Sequence, residues 1–510
     1  MSELIETEFI DNTSYPPTVS GDIGAIVIDH FWGPENISQS LNLEQFQQFY
    51  PATKGAVLSP SYVNAFRAYL SGLQTIEVVR LKTDSVHRQV ILGATAGATT
   101  TVADIPETGT NTITIKYTGK LPQMFIAGTS AFKLTISSSA SGATVVGSFD
   151  ITVTLSYVDS DSNIIVIETF TGGSKPGVLV DGQDWFIGAM LQDSDYMTLG
   201  GEVLVSGITG IAASQAEREY TLPTTNPTVL DDSDLVAVYA DYFTDIENSA
   251  ASILIDPGTT DVTNANIVLA AAITRGDAVA LIGYPTADTF DKATITTYKG
   301  TITANLYGAF YACKELVTIN GMTYASNGIG TIAGRIASIA QQASVNQLPS
   351  AKTYGAFGGK LAKTLSFADV LEMHDGGINS VYNTTSGARI FGIKSLHPRA
   401  TSYYSKFNVS RVVARVLKYG FSVAMDVLHV GNTEARRLLT ANLLNSDLTR
   451  LKPEALKIGS LAQCDNLNNT DLTTNGGEIL IIDYSLQFVK LIEKVKFRIT
   501  ATDSSVTATL

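Results

Sequence analysis

Few residues in this chain have the types and spacing that chemistry needs. Gly328, Gly330 and Ala333 fit G-x-G-x-x-A, a pattern that lets a dinucleotide pyrophosphate approach a helix N-terminus. That use needs a strand before the loop and an acidic residue about twenty positions beyond it, to hold a ribose. No convincing strand pattern and no such acid is present, so a helix start with small packing residues is the better reading. Arg275-Gly276-Asp277 spells an integrin tripeptide, but it stands at a helix-to-strand junction, where glycine is the expected C-cap. The five histidines, at 30, 87, 374, 397 and 429, have no HExxH or other metal-ligand spacing. His374-Asp375 is the one pair resembling an acid–base couple, and the Gly376-Gly377 that follows reads as an exposed turn. A hydrolase built on that pair would lose its turnover on changing His374. With no G-x-S-x-G elbow, no Walker loop and no nucleophile beside a base, no catalytic residue, cofactor or metal is expected.

One constellation favours docking chemistry. Arg411, Arg415 and Lys418 are spaced i, i+4, i+7 and share a helix face, and Arg436 and Arg437 open the next helix. Alone, such a stripe is a solvated charged face. In a chain of net charge −14 it suits an acidic partner surface. The same net charge argues against nucleic acid, whose phosphates require concentrated Lys and Arg. The charge is uneven: residues 96–220 hold thirteen acidic against five basic residues, and residues 401–510 hold thirteen basic against ten acidic.

The elements that must position these residues follow from length and pattern. A chain of 510 residues, 45% hydrophobic, is too long for one core and implies roughly two to four domains. Two cysteines, Cys313 and Cys464, have no disulfide or zinc framework, and no apolar run is long enough for a membrane span. The acidic start, "MSELIETEF", is unlike a signal peptide, so a reducing cytoplasm is the expected site of synthesis. "IGAIVID" (23–29) and "TIEVVRL" (75–81) read as buried strands. Between them Ser59-Pro60 starts a helix with Val63, Phe66, Leu70 and Leu73 on its apolar face. From 96 to 225, strands such as "FDITVTLSYV" (149–158) alternate cleanly between Gly/Ser turns, the pattern of an inserted small β-sandwich or barrel. A helix at 234–250 then leads into "SILIDPG", and a second near 264–275 into "AVALIGYP", a parallel crossover. "GTIAGRIASIAQQA" (330–343) adds a further helix. After 380 a third unit holds a helix at 408–419, burying Val409, Val412, Val413, Val416 and Leu417, and a helix at 434–446. The strands "GEILIIDYSL" and "EKVKFRIT" close it.

The two ends pose a separate question. Leu4, Ile5, Phe9 and Ile10 lie before the stiff connector "TSYPP". Val495, Phe497 and Ile499 alternate with Lys496, Arg498 and Thr500, as in a half-buried strand, and no turn is evident that would fold the chain back on itself. A strand needs a partner for its backbone groups. The expected partner is another copy of the chain.

In order along nearly the whole length, "FWGP" (31–34), "SGLQTIEVVRL" (71–81), "ILIDPG" (253–258), "VALIGYP", "GTIAGRIASIA" (330–340), "SGARIFGIKSL" (386–396), "FNVSRVVARV" (407–416) and "CDNLNN" (464–469) resemble the sheath proteins of contractile phage tails and related injection systems. Only the 96–225 insertion falls outside the likeness. The resemblance implies an N-terminal arm at 1–20 and a subtilisin-like α/β domain, without a protease's residues, at 21–95 plus 226–380. It also implies a C-terminal conserved sheath domain at 381–510 ending in a strand arm, in all an α/β and α+β multidomain chain. It further implies a structural role. Six-fold rings stack helically around an inner tube, arms from neighbouring subunits complete each other's small sheet, and a baseplate trigger releases a metastable extended state. The implied partners are other copies, the tube protein, and baseplate and tail terminator proteins, with no nucleic acid and no membrane insertion. The implied location is the virion tail after assembly in the host cytoplasm. Within that picture Arg411, Arg415, Lys418, Arg436 and Arg437 are expected to face the tube, and the acidic insertion to lie outside. Another virion protein, such as a capsid subunit, fits the α/β middle less well, and an inactive hydrolase-like binding protein would stay monomeric.

Overall fold

The computed structural model describes residues 21–30, 37–52, 58–81, 238–258, 261–470 and 478–491, and, within the inserted segment, 150–158, 162–173 and 177–194. It also describes the strand backbones at Gln89–Gly93, Thr112–Tyr117, Phe132–Ser139, Met197–Leu199, Arg218–Tyr220, Arg498–Ala501 and Val506–Thr509.

Strand segments between residues 24 and 391 converge on one eight-stranded sheet. Its strands are β1 (Gly24–Ile28), β2 (Gln39–Leu41), β3 (Ile76–Arg80), β4 (Ile253–Ile255), β5 (Val279–Gly283), β6 (Gly308–Ala312), β7 (Asn379–Thr384) and β8 (Gly387–Phe391), in the order β2-β3-β1-β4-β5-β6-β7-β8. The six inner strands are parallel, and the two edge strands, β2 and β8, run antiparallel to their neighbours. Parallel strands are buried on both faces, which is why these segments read as unbroken apolar runs. Ile26 and Ile28 enter the core on one face, Ala25 and Val27 the core on the other, and β5 divides in the same way.

Helices α1 (Pro60–Ser71), α2 (Val262–Arg275) and α3 (Ile329–Gln342) cover the sheet. Ser59 caps α1 by accepting from the Tyr62 N–H at 3.2 Å, with Pro60 at the first position as the sequence predicts. Val63 and Phe66 are buried, whereas Leu70, one of the residues expected on the apolar face, is 53% exposed. Gly276 terminates α2 in the left-handed region, at φ +73°. The α1–α3 contact depends on glycine: a Cβ at Gly330 would lie 1.9 Å from the Asn64 carbonyl oxygen. That closeness, and not a cofactor, accounts for the glycine spacing there.

Elsewhere the chain departs from its pattern. Of the helix expected over 234–250, residues 234–237 lie outside the described residues, Val238 is helical, and the helix ends in a π-helical turn at Tyr239–Phe243. The chain then turns at Asp245, whose carboxylate accepts from the Glu247 N–H and the Asn248 amide. A strand, Met322–Ser326, does precede Gly328, but it is half of an antiparallel hairpin with Glu315–Ile319, the wrong setting for a dinucleotide loop. The described part of the inserted segment forms three antiparallel sheets: one of Gln89–Gly93, Thr112–Tyr117 and Met197–Leu199, one of Phe132–Ser139, Asp150–Val158, Ile164–Gly173 and Arg218–Tyr220, and a two-stranded one of Leu179–Val180 and Gln183–Asp184. Gln89–Gly93 thus joins these sheets ahead of the expected boundary at 96. Ile151, Val153 and Leu155 are fully buried on one side, as their alternation predicts.

The last unit begins after β8, since residues 379–391 belong to the large sheet. Helix α4 (Phe407–Val427) runs well past 419, and α5 (Glu434–Leu451) follows with Thr433 as its cap. Val412, Val416, Tyr419 and Val423 of α4 pack on Leu444 and Leu448 of α5. Fully burying each such side chain stabilises the fold by about 1.5–3 kcal/mol. Leu417 is instead 38% exposed. It sits about 100° round the helix from Val416, on a flank this core does not reach.

Candidate assembly interface

The carboxyl ends of parallel strands are where α/β folds usually bind ligands, and here that place is filled by the chain's own polar side chains. Asp256, just after β4, accepts from the Gly258 and Gly283 N–H groups, each at 2.9 Å. Asn64 of α1 bonds to the Asn327 side chain at 3.0 Å and accepts from the Ser326 hydroxyl at 2.7 Å. All four side chains are buried. Sequence reading did not find this network, whose members are distant in the chain and match no motif. The remaining motif candidates are structural as well. Arg275 and Asp277 pair with each other in the interior at 2.8 and 3.0 Å, which removes both from outside recognition. Arg275 also donates to the Ser249 and Ala251 carbonyls. His374 is in the last turn of the helix Phe367–Asp375 and lies edge-on to Phe391, rather than in an exposed turn. Among the described residues no group of His, Cys, Asp or Glu could hold a metal ion.

The basic stripe of α4 requires a correction. Arg411, Arg415 and Lys418 do share a face, but for Arg411 and Lys418 that face is turned inward, onto the sheet. Arg411 is 3% exposed and pairs with Asp22, just before β1, at 2.8 Å, and it donates to the Val345 carbonyl at 2.9 Å. Lys418 donates to the carbonyls of Ala250 and Ala251. Burial pulls its ammonium below the usual lysine range, and the nearby Asp277 carboxylate offsets part of that. Arg411 is buried away from any tube, and Lys418, half-buried, is already engaged within the chain. Arg415 is half-buried beside them, on the wall of a cleft of about 280 Å³. Arg436 and Arg437 are half-buried at the start of α5, and Arg437 reaches the Asn469 carbonyl.

The feature with most bearing on assembly is an unfinished sheet. Leu461–Gln463 pairs antiparallel with Asp483–Ser485. The outer edge of Leu461–Gln463 is closed by Asn445 of α5, which bonds to both the N–H and the C=O of Ala462, at 2.9 and 2.7 Å. Along the other strand, the backbone groups of odd-numbered residues are used: Ile481 bonds to Asn469, Gln487 to Lys457 and Ser460, and Val489 to Ala455. The even-numbered residues Ile482, Tyr484, Leu486 and Phe488 point their side chains at the C-terminal core. Their backbone N–H and C=O groups point the other way and have no partner among the described residues. An edge of this length and regularity is a template for another strand.

Of the arm residues, Leu4, Ile5, Phe9, Ile10, Val495 and Phe497 lie outside the described residues. Ile499 is in the strand Arg498–Ala501, which pairs antiparallel with Val506–Thr509. The chain does therefore fold back on itself near its end, contrary to expectation. Asp503, Ser504 and Ser505 between the strands are turn-forming residue types that the reading passed over. The two strands pair only with each other among the described residues, and a lone two-stranded hairpin is marginal in water.

No family model matches the sequence, and no curated protein matches it. Among solved structures, the sheath tail protein of Listeria innocua superposes with a TM-score of 0.54 at 10% identity, over 96% of this chain and 94% of that one. The chain has the fold of a tail sheath protein. The sheath tail protein of Desulfitobacterium hafniense is similar at 12% identity and TM-score 0.49, over 93% of this chain and 98% of the other. The sheath of an extracellular contractile injection system in its contracted state is similar at 16% identity and TM-score 0.43, over 54% and 81%. The sheath fold here thus joins a large mixed sheet to a C-terminal unit that carries the open edge.

Proposed function

We propose that the chain is a contractile sheath subunit of a phage tail or a related injection system, a structural protein and not an enzyme. Copies assemble as stacked six-fold rings around an inner tube, in an extended state held by a barrier. A baseplate signal lets them repack into a shorter, wider state that drives the tube through a cell envelope. A tail terminator closes the far end, and the virion tail is the location, reached after assembly in the host cytoplasm. The observation that carries this reading is the open edge at Ile482–Phe488, in a chain with a sheath fold along almost all of its length. A terminal strand from a neighbouring copy, from the 1–10 or the 493–510 segment, completes that edge. Main-chain hydrogen bonds hold it, and alternate side chains fix its register. Such a link tolerates large reorientation of the subunits without breaking. Ile458 and Leu467, 85% and 82% exposed in the single chain, belong to the surface covered on assembly. Arg436 and Arg437 are the basic residues left to meet the tube, and the acidic insertion lies on the outside, where charge favours solubility.

Negative-stain electron microscopy of the purified full-length protein tests this reading. Hollow helical tubes are expected as concentration rises. A protein that stays monomeric at every concentration, alone and with its tube protein, would overturn it.

A further inference from the structure

We propose that the cleft between α4 and the amino-terminal ends of β1, β4 and β5 is a binding site for a carboxylate. Asp22, Ser249, Asp277, Arg411, Arg415 and Lys418 are its polar walls, and the rest of its lining is mostly apolar. Two of the three cations and both acids are already engaged. Arg411 is matched by Asp22, Asp277 is matched by Arg275, and Lys418 rests on two neutral carbonyls. Arg415 makes no hydrogen bond among the described residues, and its Nε is shielded from solvent without a partner. The other acid near it is Asp447 of α5. That carboxyl is buried and forms no ion pair with Arg415; burial pushes it upward, and the charges of Arg415 and Arg450 oppose the rise. Arg415 and Lys418 therefore bring two cationic groups, the Arg415 Nε without a hydrogen-bond partner, to a half-enclosed space in which water screens them poorly, while the Asp22, Glu77, Asp277 and Asp447 carboxylates act on them only from a distance. A guanidinium fork beside an ammonium suits a carboxylate, and a volume of about 280 Å³ admits a short dicarboxylate or one acidic side chain. The source is either a free small carboxylate or an Asp or Glu of another copy. Residues 1–20 hold Glu3, Glu6, Glu8 and Asp11 and no Lys or Arg, which makes them the chain's own candidate donor. The site follows from the cleft alone and does not depend on the sheath reading.

Calorimetric titration of the full-length protein at low ionic strength, with succinate and separately with the peptide MSELIETEFIDN, tests the proposal. Binding of succinate identifies a free carboxylate as the source. Binding of the peptide alone, lost when its acids are changed to amides, identifies an acidic side chain. In either case Arg415→Gln weakens binding about tenfold or more, Arg415→Lys keeps most of it, and Lys360→Gln, at an exposed residue outside the cleft lining, leaves it unchanged. Lys418→Gln is a second variant with the same expected loss, should Arg415→Gln not fold. Failure of both probes to bind, or binding undiminished in the Arg415→Gln and Lys418→Gln proteins, would overturn it.

Discussion

Replacing Leu486 with proline separates the fold of the subunit from its capacity to accept a strand. The N–H of Leu486 points away from Leu461–Gln463 and is used by nothing among the described residues, whereas the neighbouring Gln487 N–H bonds to Ser460 at 2.9 Å and stays in place. Proline at 486 removes an outward donor, and its ring stands where an incoming backbone would lie. Ser485 is already extended within a strand, the conformation that a residue before proline prefers. Within the subunit the loss is limited to part of a half-buried side chain, about 1–2 kcal/mol. Across the interface, one hydrogen bond is lost and its neighbours on Tyr484 and Phe488 are displaced, roughly 3 kcal/mol per junction, or about a hundredfold in affinity. A helical polymer repeats that loss at every subunit. The assay pairs urea denaturation with sedimentation of polymer, and Leu486→Ala controls for the side chain. Leu486→Pro should melt close to Leu486→Ala and fail to sediment, while Leu486→Ala assembles. Equal assembly by the proline variant would refute the strand-addition argument.

Other outcomes follow from the interior. Arg411→Met leaves Asp22 and the Val345 carbonyl without their donor, so urea denaturation should show a loss of about 3–5 kcal/mol, where an exposed tube-facing arginine would cost almost nothing. Gly330→Ala brings a methyl group against the Asn64 carbonyl and must part α1 from α3, costing roughly 2–3 kcal/mol and lowering the melting temperature. Burial raises the Asp29 carboxyl to about 6, with Arg80 opposing the rise. The folded state therefore holds that proton more tightly than the unfolded chain, so stability falls as pH climbs from near 4 through 6, by up to roughly 3 kcal/mol. Asp29→Asn should flatten that fall, and denaturation at pH 4 and pH 8 measures it.

Legibility in the sequence tracked the range of the forces involved. Ser59-Pro60, Gly276 and the apolar runs of β1, β3, β4 and β5 signal their structures through neighbours a few residues away, and all could be read directly. The early end of the helix expected at 234–250 could not, because Asp245 turns the chain and Ser249 is drawn to Glu77, 172 residues distant, at 2.5 Å. The basic stripe of α4 was legible as a stripe. Periodicity gives the polar face of a helix but not what that face meets, and the partner of Arg411 lies 389 residues away at Asp22. The open edge was half legible: "IIDYSL" reads as a strand. That its even-numbered backbone groups have no mate among the described residues goes with Asn445 closing the opposite side, which no local pattern encodes.

A density map of the assembled polymer, sharp enough to trace main chain, examines the central claim most directly. Beside Ile482, Tyr484, Leu486 and Phe488 a backbone segment from a different copy should run within hydrogen-bonding distance. A bare edge, or one filled by the same copy's own residues, would contradict the account.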